Sequence, residues 1–198
     1  RFGMGRSTRV DLPGEESGIL RVPGDGGWGE SDIAANSYGQ AVSVTPLQMI
    51  TAFAAIANDG LMYQPRLVRQ IIDGDEVITS QPSVLSRAVS ADTANIVTDI
   101  MVRVVQEGAT LAQLDGYNIA GKTGTAQIPT PTGYSQNESI ASFIGFFPAD
   151  APQAVVLIKL DRPQGYWGSR TATTVFRSVA ERLVLLLGIP NDTVRREL

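Results

Sequence analysis

The amino-acid sequence predicts an α/β protein of the α+β kind, with an antiparallel sheet flanked by helices. After Tyr117, three strand-like runs follow one another and are joined by compact loops, which is typical of an antiparallel meander. Three other segments carry apolar residues at spacings of three and four, which predicts helices that pack on this sheet. No internal repeat or linker interrupts residues 1–198, so we expect a single unit.

Composition narrows the classes of function. Of 198 residues, 43% are hydrophobic and 18% are charged, which is typical of a soluble globular protein. The net charge of -4 and the scattered arginines argue against a nucleic-acid surface, because phosphate binding needs clustered basic residues. The chain has no cysteine and no histidine, which excludes thiolate nucleophiles, Cys/His zinc sites and a Ser-His-Asp arrangement. We therefore predict no nucleic-acid partner, no metal site and no cofactor.

The start of the chain looks like the middle of a domain. It opens on Arg1-Phe2-Gly3-Met4-Gly5, without an initiating Met and in a glycine-rich stretch. It has no signal-peptide pattern, and no apolar run reaches the roughly 18 residues of a membrane span. These features support the hypothesis that the chain is a fragment of a longer protein.

The first long helix follows a loop-rich segment. Residues 1–40 contain many glycines and prolines, which predicts loops with at most a brief strand or helix. The helix begins at Thr45 and Pro46, a hydroxyl N-cap followed by proline at the first helical position, and Gly60 is expected to end it. Its inward positions are expected to be Leu47, Ile50, Phe53, Ala54 and Ala57.

A hairpin and a second helix come next. Residues 66–72 and 76–79 flank Asp73-Gly74-Asp75, which predicts two strands around a glycine turn. Ser90 then caps a helix that ends at Gly108. Its inward residues are expected to be Ile96, Val97, Ile100, Met101, Val104 and Val105.

The predicted meander occupies residues 118–128, 139–147 and 154–160. Residues 148–152 form a short turn between its second and third strands. We expect residues 129–138 to form a longer polar loop, mobile and placed at one end of the first strand.

The last predicted helix runs from about Thr171 to Leu187 and is ended by Gly188 and Pro190. An apolar stripe of this length predicts a helix that packs on the sheet. The residues expected on that stripe are Val175, Phe176, Val179, Leu183 and Leu186.

The segment Gly121-Lys122-Thr123-Gly124-Thr125 lies within the first strand of the meander. Side chains alternate between the faces of a strand, so Lys122 lies on the face opposite the two threonines. Gly124 weakens the strand unless another backbone approaches, which indicates that an extended ligand pairs along it. A lysine charge, two hydroxyls and edge N–H groups together predict a receptor for an acyl-peptide that ends in a carboxylate. The alternative, a surface lysine beside a glycine bulge, stays open on K-T-G alone, because so short a motif also occurs by chance.

K-T-G is one of three short motifs, with S-x-x-K and S-D-N, that mark serine β-lactamases and penicillin-binding proteins. The matching segments are VDLPGE at residues 10–15, YGQ at 38–40, VTPLQM at 44–49, AAIAN at 54–58, AGKTGTAQ at 120–127 and ASFIGFFP at 141–148. They span nearly the entire chain in the family's order. On these residues the chain resembles the C-terminal part of the transpeptidase domain of a class B penicillin-binding protein, and it is most similar to the division type.

The resemblance implies the serine β-lactamase and penicillin-binding transpeptidase fold, incomplete at its N-terminal side. It also implies a D,D-transpeptidase that cross-links peptidoglycan stem peptides by serine acyl transfer and that β-lactams trap. In such enzymes a serine attacks the penultimate D-Ala carbonyl, D-Ala leaves, and the acyl group passes to an amine of a neighbouring stem. A lysine beside the serine serves as the base, which agrees with the absence of histidine.

The resemblance also assigns roles along the K-T-G strand. Lys122 would supply positive charge in the catalytic site, and Thr123 and Thr125 would bind the carboxylate of the substrate or β-lactam. The backbone N–H of Thr125 would form half of the oxyanion hole. The remaining residues expected to bind substrate are Gly124, Ala126 and Gln127.

Three features depart from the family's pattern. No serine in the chain has a lysine three positions later, since residues 119 and 156 are Ile and Val, so the nucleophile is expected outside this chain. Ser135-Gln136-Asn137 spells S-x-N but follows K-T-G instead of preceding it, and we interpret it as coincidence. Residues 39–41 read Gly-Gln-Ala where the family usually has Gly-Gln-Gly.

We therefore expect residues 1–198 to be the C-terminal portion of one transpeptidase domain, without S-x-x-K and S-x-N, and inactive in isolation. The resemblance implies stem peptides and β-lactams as ligands, and a glycosyltransferase and other divisome proteins as partners. It further implies an extracytoplasmic location, periplasmic or on the outer face of the cell membrane, with the anchor in an upstream segment.

Two other hypotheses stay open: a non-catalytic β-lactam sensor or scaffold of a wall-synthesis complex, and a hydrolase of the β-lactamase kind. An intact upstream S-x-x-K and S-x-N would indicate a transpeptidase, and their loss a scaffold.

Overall fold

Helices and small antiparallel sheets make up the computed structural model, which describes residues 1–39, 42–131 and 133–197. The strands are β1 (Ile19–Leu20), β2 (Val42–Ser43), β3 (Leu61–Tyr63), β4 (Gln70–Asp73), β5 (Glu76–Thr79), β6 (Val84–Arg87), β7 (Ala120–Thr130), β8 (Gly133–Phe147) and β9 (Ala154–Asp161). The α-helices are α1 (Glu30–Ser37), α2 (Pro46–Ala57), α3 (Ala91–Glu107), α4 (Ala172–Leu186) and α5 (Asp192–Glu197).

The central sheet is the antiparallel meander β7-β8-β9, which confirms the predicted fold class. Gly124 of β7 pairs with Ser142 of β8, which in turn pairs with Lys159 of β9. The other described strands form the two-stranded pairs β1-β2, β3-β6 and β4-β5. Within the described sheet, β7 therefore lies at an edge, with β8 on one side of it.

One face of the sheet packs against α4 through aromatic rings. Phe143 and Phe147 are fully buried, and their rings meet Phe176 of α4 edge to face, with centroids 4.6 and 6.0 Å away respectively. A Cβ at Gly121 would lie 2.4 Å from the Phe143 ring, so glycine at this position makes room for the cluster. Three buried rings supply a large apolar contact that holds α4 on the sheet.

The opposite face of the sheet packs against α2 and α3. Met101 of α3, Ala120 of β7 and Phe146 of β8 are buried together there. Phe53 of α2 and Val97 of α3 are partly buried against them. Helices thus cover both faces of the meander, as the sequence predicts.

Helix α2 begins as predicted, but its most buried face includes a polar residue. In its capping box the Thr45 hydroxyl accepts the N–H of Gln48 (3.1 Å), and the Gln48 side chain accepts the N–H of Thr45 (2.9 Å). Gln48 is 2% exposed, and its amide donates to the carbonyls of Arg6 and Ser17, at 2.7 Å each. The apolar positions predicted to face inward are only half-buried. Apolar spacing did not reveal Gln48 because a glutamine whose hydrogen bonds are satisfied internally can occupy the core.

On α3 and α4, fewer of the apolar residues are buried than the sequence predicts. The residues wrongly predicted to face inward are Ile96 and Ile100 of α3 and Val175 and Leu186 of α4, which are 60%, 56%, 41% and 79% exposed. On α3 the buried stripe passes through Ala94, Met101 and Val105, and at the helical period both isoleucines lie on the other side. On α4 the stripe passes through Phe176 and Ala180. Each helix buries one narrow stripe because it contacts the sheet on one side.

Residues 129–130 and 133–138 belong to strands and not to the loop that the sequence predicts. Strand β7 continues to Thr130 and β8 begins at Gly133, so the two strands form a hairpin that extends beyond the core of the sheet. The register shifts between Gln127 and Pro129, since proline has no N–H for the ladder. The polar composition suits this extension because most of its side chains are exposed.

The predicted surface hairpin is present as β4 and β5, but its first strand begins at Gln70 and not at residue 66. The Asp11 carboxylate accepts the N–H groups of Leu67 and Val68, at 2.7 and 2.8 Å, and so engages the backbone just before the ladder. These hydrogen bonds lower the pKa of Asp11, and that from Val68 has the largest effect on it. Asp11, from the VDLPGE segment, thus fastens the stem of the hairpin to the N-terminal loop.

Glu15, the last residue of the same segment, organises the turn that precedes it. Its carboxylate accepts hydrogen bonds from the Ser7 hydroxyl, from the N–H and hydroxyl of Thr8, and from the N–H of Arg9. Partial burial raises the pKa of Glu15, but these hydrogen bonds outweigh it and lower the pKa to about 2. The ionised carboxylate therefore holds this turn, in which Arg9 has a positive φ of 61°.

Replacing Glu15 with glutamine is expected to lower the free energy of unfolding at neutral pH by on the order of 1–2 kcal/mol, because charge-assisted hydrogen bonds become neutral ones. The pKa is about 2 in the folded chain and 4.5 ordinarily, so this stabilisation is complete above pH 4.5 and is lost as pH falls toward 2. Unfolding by denaturant from pH 7 to 2.5 checks this. The control Glu16→Gln removes the same charge from an exposed neighbour. A wild-type advantage over Glu15→Gln that grew with acidity would contradict the assignment.

Helix α5 ties the start of β7 to the turn between β8 and β9. Asp192 is 8% exposed; one of its oxygens accepts the N–H of Asn118 (2.8 Å), and the other pairs with Arg195 (3.0 Å). Arg195 also forms an ion pair with Asp150, in the β8–β9 turn. This network holds in place the end of the sheet at which β7, the strand with the K-T-G motif, begins.

Candidate active site

Strand β7 carries the K-T-G residues along the edge of the described sheet. Lys122 is exposed, and its Nζ donates to the carbonyl oxygen of Thr123 on the same strand (2.9 Å). Thr123, Gly124 and Thr125 are half-buried. Alternate N–H groups of an antiparallel edge strand point away from its neighbour, so β7 offers backbone donors to an added strand.

The two sides of the motif face different helices, as the strand period predicts. Lys122 pairs with Ile144 on the face that α2 and α3 cover, whereas Thr123 pairs with Phe143 on the face that α4 covers. Thr125, two residues further, shares the α4 side. The lysine charge and the two hydroxyls therefore flank the strand from opposite sides.

Gly124 lies between two close contacts from its own chain. A Cβ there would lie 2.6 Å from the Ser142 hydroxyl oxygen, so glycine lets that hydroxyl reach over β7. A Cβ at Gly168 would lie 2.4 Å from the Gly124 carbonyl oxygen, so this residue also approaches the strand backbone closely. The chain's own Ser142 side chain therefore takes the space at Gly124, and Gly168 approaches its carbonyl oxygen. Pairing of a ligand along the strand stays a prediction.

The loop between β9 and α4 contributes residues that the sequence motifs do not assign to the site. The N–H of Gly168 donates to the Thr125 hydroxyl oxygen (3.2 Å), and the Ser139 hydroxyl donates to the carbonyl of Tyr166 (2.6 Å). Trp167 is 59% exposed and packs edge to face against the Tyr166 ring, with centroids 4.9 Å apart. The signal that could have found them is an aromatic pair between two glycines, directly before a helix.

An open cleft of about 940 Å³ adjoins the far end of the motif. Ala126 and Gln127 line it, so the structure brings these two predicted substrate-binding residues onto one concave surface. Among the described residues, Lys122 to Thr125 do not line the cleft and lie before it along the strand. Arg21 and Asp32 give the cleft one charge of each sign.

Two other features of the sequence are the S-x-N at residues 135–137 and the departure at residues 39–41. Ser135 and Asn137 are on the polar extension of β8, where the Ser135 hydroxyl accepts the N–H groups of Asn137 and Glu138, at 3.4 and 3.0 Å. Gln40 and Ala41, which belong to the YGQ match and to the departure at residues 39–41, lie outside the described residues. The carbonyl of Ser135 accepts a hydrogen bond from the side-chain amide of Gln127 (3.4 Å), so this part of β8 contacts a predicted substrate-binding residue.

Residues 1–39, 42–131 and 133–197 contain neither a candidate membrane span nor a candidate metal site. None of the helices there is long and apolar enough to cross a bilayer. Nor do those residues include three His, Cys, Asp or Glu side chains grouped as metal ligands. The chemistry available at the edge of β7 is that of a cation, hydroxyls and backbone N–H groups.

Comparison with known proteins identifies the family. The family described as "Penicillin binding protein transpeptidase domain" matches residues 1–181. The chain belongs to this family. Membership agrees with the K-T-G strand and confirms the resemblance to class B penicillin-binding proteins.

Two relatives of this chain are considerably longer than it is. Stage V sporulation protein D of Bacillus subtilis is 35% identical over 198 residues, covering 95% of this chain and 30% of that protein. Penicillin-binding protein PbpB of Mycobacterium tuberculosis is 36% identical over 206 residues, covering 96% of this chain and 30% of that protein. The crystal structure of penicillin binding protein 3 from Mycobacterium tuberculosis, complexed with ampicillin, matches with a TM-score of 0.87 at 33% identity, over 96% of this chain and 45% of that one. The chain thus has the transpeptidase fold and spans about 30% of the length of these curated relatives.

Proposed function

We propose that this chain is the substrate-binding portion of a D,D-transpeptidase that cross-links peptidoglycan by serine acyl transfer. The observation that carries the proposal is the edge strand β7, where Lys122 and Thr125 flank a strand edge that continues into the cleft. An acyl-peptide can pair along this edge as an added strand, with its carboxylate bound by the lysine charge and the threonine hydroxyls. Family membership supports the same function.

In this proposal each residue of the motif has its own task. Lys122 supplies positive potential where negative charge develops, and Thr123 and Thr125 bind the donor carboxylate through their hydroxyls. The N–H of Thr125 is one of two donors in the oxyanion hole. Gly124, Ala126 and Gln127 hold the backbone of the donor peptide. The structures of a relative complexed with ampicillin and with aztreonam support β-lactams as ligands, and we place them at this edge.

The nucleophilic serine and its lysine base belong, in this proposal, to residues upstream of Arg1, together with S-x-N. The two lysines of the chain support this, since neither lies three residues after a serine. The greater length of the relatives is also consistent with it. The upstream membrane anchor, the extracytoplasmic location, and the glycosyltransferase and division partners form part of the same proposal.

The isolated 198-residue chain is expected to stay unlabelled by a fluorescent penicillin, because it has no S-x-x-K serine. The same chain joined to upstream residues that carry S-x-x-K and S-x-N is expected to bind one label per molecule and to turn over a thioester analogue of the stem peptide. Fluorescence of the denatured protein on a gel and intact mass measure the label.

Each other outcome of this experiment has a distinct meaning. Stoichiometric labelling of the isolated chain would show that a nucleophile lies within residues 1–198 and would overturn the assignment. Labelling of the extended protein without thioester turnover would indicate a sensor. No labelling of a folded extended protein would indicate a scaffold.

A further inference from the structure

The loop between β9 and α4, residues 162–171, is fastened to the sheet at several points. Arg162 donates its N–H to the carbonyl of Ser139 (3.0 Å), and the Ser139 hydroxyl donates to the carbonyl of Tyr166 (2.6 Å). Ser139 is 1% exposed, so these bonds are shielded from water. Two residues after Tyr166, the N–H of Gly168 donates to the Thr125 hydroxyl oxygen (3.2 Å). The loop therefore holds one backbone donor against one side chain of the K-T-G strand.

Position 168 accepts only glycine, for reasons of space. A Cβ there would lie 2.4 Å from the carbonyl oxygen of Gly124 and 2.6 Å from that of Ser142, distances that real Cβ atoms essentially never show. Both atoms belong to the backbone of paired strands and cannot rotate away as a side chain can. Any larger residue must lift the loop off the sheet and lengthen the bond to Thr125.

The Gly168 bond determines what the Thr125 hydroxyl can do. A hydroxyl has one hydrogen to donate and two lone pairs that accept. Because the Gly168 N–H occupies a lone pair of Thr125, the hydroxyl hydrogen is free to point to another acceptor. Among the hydrogen bonds of the described residues, the Thr125 hydroxyl accepts that of Gly168 and donates none.

We propose that Gly168 is a positioning residue that presents Thr125 as a hydrogen-bond donor, and thereby makes the site select acyl donors with an ionised carboxylate. This inference rests on the proposed function. An ionised carboxylate offers only acceptors and forms charge-assisted bonds about twice as strong as neutral ones, so it gains most from a pre-set donor. An ester of the same donor gains little. When the loop is displaced, the hydroxyl loses its fixed orientation, and the preference for the carboxylate falls.

The test uses the complete transpeptidase, which consists of this chain with its upstream residues. Acylation rates are measured with a fluorescent penicillin and with the methyl ester of its carboxylate, and the ratio of the two rates is the readout. A smaller folded fraction lowers both rates equally, so a purely structural defect leaves the ratio unchanged. Gly168→Ala is expected to lower the ratio about tenfold, the effect of one charge-assisted hydrogen bond.

Two further variants keep the test decisive. Ser139→Ala removes the Tyr166 anchor without adding volume, and is expected to lower the ratio in the same direction, by less. Ser178→Ala removes an exposed hydroxyl of α4 that bonds the carbonyl of Thr174 (3.3 Å), and is expected to keep the wild-type ratio. If Gly168→Ala does not fold, the rate ratio of Ser139→Ala alone tests the proposal.

The outcomes separate this inference from the proposed function. Wild-type ratios in folded Gly168→Ala and Ser139→Ala, with normal labelling by the penicillin, would overturn the role of Gly168 alone. A wild-type enzyme that the penicillin does not acylate would overturn the proposed function, and this inference with it. A lower ratio of the two acylation rates in these two variants, with the wild-type ratio in Ser178→Ala, supports the role of Gly168.

Discussion

Lys122→Ala in the complete transpeptidase is expected to slow acylation by a fluorescent penicillin by at least about 100-fold, the usual cost of removing one preorganised electrostatic group. The fold should tolerate the change. Lys122 is exposed, and among the described residues its ammonium donates to the carbonyl of Thr123 on its own strand. Exposed substitutions of this kind usually change stability by less than about 0.5 kcal/mol. Single-turnover labelling rates and thermal unfolding measure the two effects separately.

The chain offers a matched control in Lys159, its other lysine. Lys159 is also exposed, and its place opposite Ser142 puts it on the same face of the sheet as Lys122, two strands away from β7. Lys159→Ala removes the same charge and is expected to keep the wild-type rate of acylation. Equal rates in wild type and Lys122→Ala would remove Lys122 from the mechanism. Equal losses in both variants would show that only net charge matters.

Local signals predicted the elements that position the site. Thr45 and Ser90 cap α2 and α3 as expected, since a hydroxyl at an N-cap satisfies backbone N–H groups two or three residues away. The alternation of Lys122 and Thr123 between faces follows from the strand period alone. These features depend on neighbours in sequence, and sequence is sufficient to find them.

Contacts between distant segments were not predictable in this way. Gly168 approaches Thr125 from 43 residues away, and Gln48 reaches Arg6 across 42. No periodicity encodes such pairs, because they depend on how the elements pack. The error at Ile96 and Ile100 has the same origin, since apolar spacing does not state how much of a helix its neighbours cover. Residues 129–130 and 133–134 show the converse, because they pair as strands where composition suggested a loop.

Phe176→Ala is expected to lower the free energy of unfolding by about 3–5 kcal/mol, the usual cost of truncating a fully buried phenylalanine. Phe176 is 0% exposed and contacts the rings of both Phe143 and Phe147. The close-packed surroundings cannot fill the space, because Gly121 and Gly145 adjoin the same rings and have no side chains to move into it. Denaturant unfolding with an unchanged slope measures the loss.

Val175 is the matched control for this prediction, because sequence spacing placed it on the same inward stripe and the structure leaves it 41% exposed. Val175→Ala is expected to cost less than about 1 kcal/mol, as exposed truncations do. Helix α4 follows directly after the loop that carries Gly168, so a loosened Phe176 contact should also lower the preference for an ionised carboxylate. Equal losses of stability in the two variants would show that the aromatic cluster does not hold α4 on the sheet. A large loss in Phe176→Ala with an intact carboxylate preference would show instead that Ser139 fixes the loop without help from the helix.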